Sequence, residues 1–339
     1  MSKFGSEDMS AYVIAEVGAN HNGDLSLAKR HIDLAAEAGA SCVKFQAWDE
    51  HSLISRELYD QNLEYDDKKK HFGSLREMVD AYKFQDGWYD IIPHYCQSRG
   101  VDFASTPFSS AEVSKVAPHV PFIKIASCDL DNGALIKEAA STGLPVIIST
   151  GMGDLGEIDR AVNWAESGGC ADLTLLHCVS VYPCMPEDMN LRNIEALQSA
   201  FSLPIGLSDH SLGSLAAVVA ASLGVRIFEK HFTVDPDLPG WDHDMSADSA
   251  QLQAYIRDVN DAKKALGERR RRVGVKELEK RQAFRRSAVA SRDLAAGEVL
   301  TEDAIEFLRP GTGYPYAKLT EIVDRTLKVS VSKGSVIRH

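Results

Sequence analysis

Two histidines end two late apolar segments, where they could act together on a metal ion. His210 directly follows PIGLSD at 204–209, and His231 lies in VRIFEKHF at 225–232. If these segments are neighbouring strands, the two imidazoles meet at one site and leave coordination positions for water or a ligand. Such an open site suits Mn²⁺ or Mg²⁺ better than a closed structural zinc site. The alternative for each residue is a hydrogen-bonded core histidine.

Two lysines and a series of hydroxyls could bind a small anion. Lys44 lies in SCVKFQ and Lys124 in FIKIAS, two apolar segments in which a buried ammonium group needs a partner or a ligand. Lysine supplies a point charge and Ser or Thr supplies donors, a combination that favours phosphate and carboxylate. The hydroxyls near segment ends are Ser105, Thr106, Ser127, Ser149, Thr150, Ser180 and Ser208. Each serine alone is more often a turn or cap residue, and each lysine could instead form an internal salt bridge with Glu16 or Glu229.

Eight short apolar segments carry these residues, and stretches of helical period follow them. The segments are 12–18, 41–46, 101–106, 122–127, 145–150, 173–178, 204–209 and 225–232. Strand and helix alternating eight times over roughly 250 residues is typical of an α/β fold of the (β/α)8 barrel type. A doubly wound sheet also alternates, but the count of eight favours closure and no G-x-G-x-x-G follows a segment. In a barrel, catalytic groups come from the C-terminal ends of the strands.

The chain is predicted to contain a barrel domain at 1–268, a charged linker at 269–285 and a small β-rich module at 286–339. Nine basic residues lie between Arg269 and Arg286, and a solvated linker helix is the favoured interpretation over a nucleic-acid site. The terminal module contains the turn sequences AAGE, PGTG and SKG. Because it is short, we expect it to rest on the barrel or on another subunit.

Composition limits the classes of function. The 339 residues carry a net charge of −12, which argues against a chain-wide basic surface for nucleic acid. The early apolar run lacks the basic start and cleavage site of a signal peptide, and no apolar stretch reaches the length of a membrane span. The six cysteines include no C-x-x-C pair, which favours free thiols. We expect a cytoplasmic protein with no nucleic-acid or membrane partner.

A series of motifs resembles the sialic acid synthase family, the phosphoenolpyruvate-condensing nonulosonate synthases. In family order the motifs are AEVGANHNGD, VKFQ, STPF, KIAS, ISTGM, LHCVSVYP, EDMNL, IGLSDHS, EKHFT, LPGWDHDMS and LRPGTG. The resemblance covers nearly the whole chain. It implies an N-terminal (β/α)8 TIM barrel and a C-terminal SAF (antifreeze-like, β-clip) domain. It further implies a domain-swapped homodimer in which each SAF domain caps the partner's barrel.

The resemblance also assigns roles to individual positions. His210 and His231 match metal ligands, usually for Mn²⁺, with Mg²⁺ or Co²⁺ as alternatives. Positions that match phosphoenolpyruvate ligands are Lys44, Thr106, Lys124, Ser127, Ser149, Ser180 and Ser208. Positions that match sugar contacts are Glu16, Gln46, Asp129, Tyr182 and Asp242, with Arg309 reaching the acyl-amino group of the partner's sugar. Ser180 and Asp129 depart from the Asn and Glu of the neuraminate synthases. Arg309 could instead be a turn residue before Pro310, and Asp242 could cap the helix near 248.

The implied reaction joins C3 of phosphoenolpyruvate to the aldehyde of an N-acetylmannosamine-like aldose. The metal would polarise the aldehyde oxygen and present the water that adds at C2, while Glu16 positions or deprotonates a reacting group. Lys44 and Lys124 would stabilise the departing phosphate. The sugar could equally be N-acetylmannosamine 6-phosphate, or a 2,4-diacetamido-trideoxy hexose that leads to legionaminic or pseudaminic acid. Two rival functions are a Schiff-base aldolase using Lys44, Lys124 or Lys230 and a carbohydrate-binding SAF protein with an inactive barrel.

Overall fold

A computed structural model describes residues 10–62 and 74–338. The chain divides into two compact units, Met1–Gly267 and Glu268–His339. The strands of the first unit are β1 Tyr12–Gly18, β2 Cys42–Ala47, β3 Asp102–Pro107, β4 Ile123–Ile125, β5 Val146–Ser149, β6 Leu173–Cys178, β7 Ile205–Asp209 and β8 Ile227–His231. They form one parallel sheet in the order β3-β2-β1-β8-β7-β6-β5-β4. β3 and β4 then lie side by side, which closes the sheet into the predicted barrel.

Alternation along each strand separates the barrel interior from the face that the helices cover. The large apolar core contains outward residues such as Val13, Val43 and Phe45, which pack under the helices. A second cluster occupies the start of the barrel interior and contains Tyr12, Ile14, Cys42, Ala104, Phe122, Ile147, Leu176 and Ile227. Polar residues take the next inward positions, for example Glu16 two residues after Ile14. The apolar layer therefore closes the interior beneath a polar layer at the C-terminal strand ends.

Helices follow most of the strands and begin at recognisable caps. They are α1 Leu25–Ala38, α2 Arg56–Gln61, α3 Leu75–Ala81, α4 Ile92–Ser98, α5 Ser110–Val116, α6 Gly133–Ser141, α7 Leu155–Ser167, α8 Asn193–Phe201, α9 Leu215–Ser222 and α10 Ser249–Leu266. Asp154 and Asp248 each form a capping box with the residue three positions later, Glu157 and Gln251. α1 ends at Gly39, whose φ of 92° lies in the left-handed region that glycine adopts without strain.

The fourth apolar segment differs most from its predicted extent. FIKIAS at 122–127 yields only the three residues of β4, because Ser127–Asp129 forms a 3₁₀ turn. This turn places Ser127 just beyond the strand and directs the chain towards α6. In the described residues, no helix is both long enough and apolar enough to cross a membrane.

The second unit is a small β-rich fold with an apolar core of its own. Its strands β9 Ser287–Ala290 and β10 Ile305–Leu308 pair antiparallel. Nine buried apolar residues, including Leu294, Leu300 and Ile337, form one cluster inside the unit. The unit therefore has a core of its own, and its resting on the barrel or on another subunit stays a prediction. Helix α11 Val275–Phe284 lies in the segment predicted as a charged linker, and all of its residues are exposed. The last helix is α12 Leu319–Ile322.

Candidate active site

A buried charge network lies at the C-terminal end of the barrel interior. The Lys44 Nζ atom is 2.7 Å from Glu16 Oε2 and 3.6 Å from Glu229 Oε2. Lys44 also donates a hydrogen bond to Thr106 Oγ1 at 2.9 Å, and Gln46 Nε2 donates to Glu16 Oε1 at 3.1 Å. The internal salt bridge that was the alternative for Lys44 is thus present, with both Glu16 and Glu229.

Lys124 faces the same space from the other side of the barrel. Its Nζ donates to Ser149 Oγ at 2.7 Å and lies 3.8 Å from Glu229 Oε1, which also accepts from Ser208 Oγ at 3.1 Å. Glu229 therefore lies between the two ammonium groups. Lys44, Lys124 and Glu229 are all buried, so water screens their interactions weakly. The network joins seven of the eight strands around one polar chamber.

Burial and charge set the protonation states of this network. Burial raises the pKa of Glu16 to about 7, although the Lys44 ammonium group opposes that change. Burial also disfavours ionised Glu229, but Lys124 and Lys44 outweigh burial and lower its pKa to about 2. The two carboxylates compete for the same lysine. Glu229 is therefore the permanent anion of the network, and Glu16 is the group that can take up or release a proton near neutral pH.

The two predicted metal ligands lie next to each other beside this chamber. The imidazole centroids of His210 and His231 are 5.5 Å apart, and the Tyr182 ring is 4.1 Å from that of His210. His210 Nδ1 lies 2.8 Å from the Val179 carbonyl oxygen. Because a carbonyl only accepts, Nδ1 carries a proton, and Nε2 is the ring nitrogen that would face a metal. Burial disfavours the charged form of His210, but the Cys178 sulfur and the Val179 carbonyl outweigh burial and raise its pKa. Burial and then His210 lower the pKa of His231, which keeps its imidazole neutral.

These residues fit a metal that takes two ligands from the chain. Nε2 of His210 makes no contact with the Val179 carbonyl that binds Nδ1, and the buried Nδ1 atom of the neutral His231 ring has no hydrogen-bond partner. That nitrogen lies 3.7 Å from Asp242 Oδ2. Within residues 10–62 and 74–338, no group of three or more His, Cys, Asp or Glu side chains is arranged to hold a metal ion. The chain's own donors would therefore leave most coordination positions to water or substrate.

Cys178 connects the histidines to two of the predicted hydroxyl ligands. Its Sγ atom is 3.4 Å from Ser127 Oγ, 3.8 Å from Ser180 Oγ and 3.9 Å from His210 Nδ1. A Cβ atom added to Gly151 would lie 2.3 Å from Ser180 Oγ and 2.7 Å from Ser127 Oγ. The position thus has room for glycine alone, and the two hydroxyls converge in front of it.

Three predicted sugar contacts also converge, around Gly18. A Cβ atom on this glycine would lie 3.3 Å from Glu16 Oε1, 3.4 Å from Asp242 Oδ2 and 3.5 Å from Gln46 Nε2. Asp242 is not the cap of the helix near 248, because Asp248 caps α10 itself. The carboxylate of Asp242 instead lies in the site, close to His231.

Two predicted residues are not part of this cluster in the structure. Asp129 Oδ1 accepts a hydrogen bond from Asn132 Nδ2 at 3.1 Å, and its other oxygen is 3.7 Å from Cys128 Sγ, so local contacts occupy its carboxylate. Arg309 belongs to the second unit, where its guanidinium group lies 5.1 Å from the centre of the Phe284 ring. Both remain predicted contacts of a bound sugar.

Three contributors were absent from the predicted set of site residues: Glu229, Cys178 and Gly151. Glu229 stands two residues before His231, so the strand period that places the histidine inward places the carboxylate inward too. Cys178 ends LTLLHC in the same way. The two-residue period of the strands therefore could have predicted both Glu229 and Cys178. The need for glycine at 151 could not be predicted in this way, because it depends on hydroxyls from two other loops.

Comparison with known proteins gives a consistent family assignment. The NeuB family model matches residues 31–271, and the SAF domain model matches residues 285–339. N,N'-diacetyllegionaminic acid synthase from Legionella pneumophila is 35% identical over 97% of this chain and 94% of its own length. Pseudaminic acid synthase from Campylobacter jejuni (strain 81-176) is 31% identical over 98% and 96%. A crystal structure of N-acetylneuraminic acid synthetase from Leptospira borgpetersenii, in complex with citrate, is 34% identical, covers 80% of this chain and 90% of its own, and superposes with a TM-score of 0.69.

Proposed function

The chain belongs to the NeuB family of nonulosonic acid synthases, and from that membership we propose that it condenses phosphoenolpyruvate with an N-acetylmannosamine-like aldose. The products are a nine-carbon 2-keto-3-deoxy acid and phosphate. The observation that carries the proposal is the buried chamber in which Lys44, Lys124 and their hydroxyl partners lie beside a pair of histidines. Cations and donors suit a phosphorylated acid, and two adjacent imidazoles suit a metal.

The two lysines and the hydroxyls bind the phosphate and carboxylate of phosphoenolpyruvate. Lys44 and Lys124 exchange part of their contact with Glu16 and Glu229 for the anion, whose charge exceeds that of either carboxylate. Thr106 and Ser149 already accept from the lysines, which fixes the ammonium groups in place before the substrate arrives. Ser127, Ser180 and Ser208 supply further donors. The same ammonium groups stabilise the charge on the departing phosphate.

The reaction forms one carbon–carbon bond and breaks one carbon–oxygen bond. C3 of the enol attacks the aldehyde carbon of the open-chain sugar, and the aldehyde oxygen becomes a hydroxyl after taking a proton. Water adds at C2, and loss of phosphate from C2 then leaves the keto group. Glu16 holds or moves a proton at Oε1. Gln46 orients this atom through a hydrogen bond, and both Oε1 and the Asp242 carboxylate lie beside Gly18.

We also propose that His210 and His231 hold a divalent ion, with Mn²⁺ favoured and Mg²⁺ or Co²⁺ as alternatives. When bound, such an ion supplies Lewis-acid polarisation of the aldehyde oxygen. The orientation of the His210 ring, fixed by its bond to the Val179 carbonyl, and the unbonded Nδ1 of His231 support this assignment.

The identity of the sugar and the assembly belong to the same proposal. Relatives of similar identity are named for legionaminic, pseudaminic and N-acetylneuraminic acids, so the amino sugar remains a choice among these. We expect the side chains of Asp129 and Ser180 to decide which amino sugar is accepted.

We further propose a domain-swapped homodimer in which Arg309 of the SAF domain binds the acyl oxygen of the sugar in the partner's barrel.

A panel assay tests the proposed reaction. Phosphate release from phosphoenolpyruvate is measured with N-acetylmannosamine, its 6-phosphate and 2,4-diacetamido-trideoxy hexoses, each with and without Mn²⁺. We expect release that depends on one of these sugars, with one keto acid formed per phosphate. Release without a sugar, or no release with any of them, would reject the proposal. Borohydride trapping addresses the aldolase alternative, because a lysine Schiff base would become a stable covalent adduct and the proposed reaction forms no imine.

A further inference from the structure

Behind the two histidines, on the outer face of the barrel, lies a second buried ion pair that the proposed reaction does not use. Asp209 and Lys230 directly precede His210 and His231, and the register of β7 and β8 places them opposite each other. Lys230 Nζ is 3.2 Å from Asp209 Oδ2, and both side chains are buried. Because side chains alternate along a strand, this pair points towards the helices while the histidines point inward.

Ser211 joins the pair and completes what we term the outer cluster: Asp209, Ser211 and Lys230. Asp209 Oδ1 accepts from the backbone N–H of Ser211 at 2.9 Å and from Ser211 Oγ at 2.7 Å. Lys230 Nζ in turn donates to the Ser211 carbonyl oxygen. The residues on both sides of His210 are thereby tied to the strand that carries His231.

Packing on α10 holds the outer cluster from behind. The Lys230 ammonium group lies 5.4 Å from the centre of the Tyr255 ring, and Tyr255 is fully buried. The backbone of His210 is also held, because the backbone N–H of Cys184 donates to the His210 carbonyl oxygen at 2.9 Å. Lys230 is therefore enclosed on the outer face of the barrel, away from the chamber that contains Lys44 and Lys124.

We propose that the outer cluster is a positioning device that fixes the separation and orientation of the His210 and His231 imidazoles. An ion pair between buried side chains is a weak source of net stability, but separating the partners leaves an uncompensated buried charge, which opposes movement of β7 relative to β8. In the arrangement that the pair holds, the next residue along the chain after Asp209 and after Lys230 is a histidine at the site. The inference rests on the proposed metal role of the two histidines.

The test uses a neutral replacement of the ion pair in the full-length protein. Asp209→Asn combined with Lys230→Met leaves no buried charge and keeps an acceptor for Ser211, so the barrel is expected to fold. Ser211→Ala removes one hydrogen bond and serves as a milder variant. Tyr12→Phe is the matched control, because it removes the 2.6 Å bond from Tyr12 to Asp102 at the opposite end of the strands.

Mn²⁺ affinity, measured by electron paramagnetic resonance on the folded variants, is the first readout. We expect the double variant to bind Mn²⁺ about 10- to 100-fold more weakly than the wild type, with a smaller loss in Ser211→Ala. Tyr12→Phe should match the wild type. A purely structural role would lower the unfolding temperature of the double variant but leave its Mn²⁺ affinity unchanged, and that result would overturn the proposal.

A second readout separates this proposal from the metal assignment. If the wild type itself binds no Mn²⁺, the metal role fails, and ¹⁵N NMR of the imidazoles decides the question of positioning. Lines assigned with His210→Ala and His231→Ala should shift or broaden in the double variant and stay in place in Tyr12→Phe. Unchanged lines in the double variant would show that the outer cluster does not position the histidines.

Discussion

Glu16 is the residue whose protonation most directly couples the site to pH. Its pKa is raised from 4.5 to about 7 by burial, so between these values the folded chain holds a proton that the unfolded chain releases. The free energy of unfolding should therefore fall as pH rises through this window, by at most about 3 kcal/mol from this residue. Glu16→Gln should abolish this part of the dependence. Urea unfolding of wild type and variant at about pH 5 and about pH 8 measures it, and an equal loss in both proteins would contradict the account.

The histidine pair should make the activity depend on a divalent metal ion. Chelation should abolish turnover, and Mn²⁺ should restore it, because two adjacent imidazoles are the chain's proposed ligands. His210→Ala should lose most Mn²⁺ binding and should not be rescued by added metal at concentrations that saturate the wild type. Full activity of a metal-free preparation in excess chelator would exclude the metal role.

The barrel strands were predictable as elements because each carries a short apolar run with inward polar residues at its end. Period-two alternation places Lys44 and Glu16 on the same inner face, and the salt bridge between them was one of the alternatives that the sequence left open. The position of Glu229 between two lysines was harder to predict, because it depends on closure that brings β2, β4 and β8 around one chamber. Local contacts decide other details, such as the Asn132 bond that holds Asp129.

The loop after β5 leaves space at Gly151 for the hydroxyls of Ser127 and Ser180. A Cβ atom at Gly151 would lie within 2.3 Å of Ser180 Oγ, so Gly151→Ala must displace the two hydroxyls that converge there. We expect the KM for phosphoenolpyruvate to rise about 10-fold or more, consistent with the loss of one charge-assisted hydrogen bond. Steady-state kinetics with the sugar held saturating measures this change.

Gly156→Ala is the matched control for Gly151→Ala. Gly156 lies in the first turn of α7, where an added Cβ atom comes no closer than 3.3 Å to a neighbouring side chain. Alanine there should leave the KM for phosphoenolpyruvate unchanged and slightly stabilise the helix. Equal KM values for both variants would show that Ser127 and Ser180 do not bind this substrate.

At the scale of the whole molecule, the two units raise the question of how one chain supplies a complete site. The second unit has its own core, so it can present Arg309 as a folded domain. If Arg309 acts on the partner's barrel, Arg309→Ala should raise the KM for the sugar far more than the KM for phosphoenolpyruvate. Mixing Arg309→Ala with His210→Ala should restore part of the activity, since some heterodimers pair an intact barrel with an intact partner domain. With subunit exchange verified, a mixture as inactive as its parents would reject the arrangement in trans.

The central claim is that the chain joins phosphoenolpyruvate to an aldose with water adding at C2, and one isotope measurement tests it most directly. Phosphoenolpyruvate carrying ¹⁸O at its bridging oxygen is converted with the accepted sugar and Mn²⁺, and both products are analysed by mass spectrometry. Phosphate leaves with the bridging oxygen if the C2–O bond breaks, so the account predicts the label in phosphate and unlabelled keto acid. Label retained in the nine-carbon acid would show cleavage of the phosphorus–oxygen bond and would contradict the proposed mechanism.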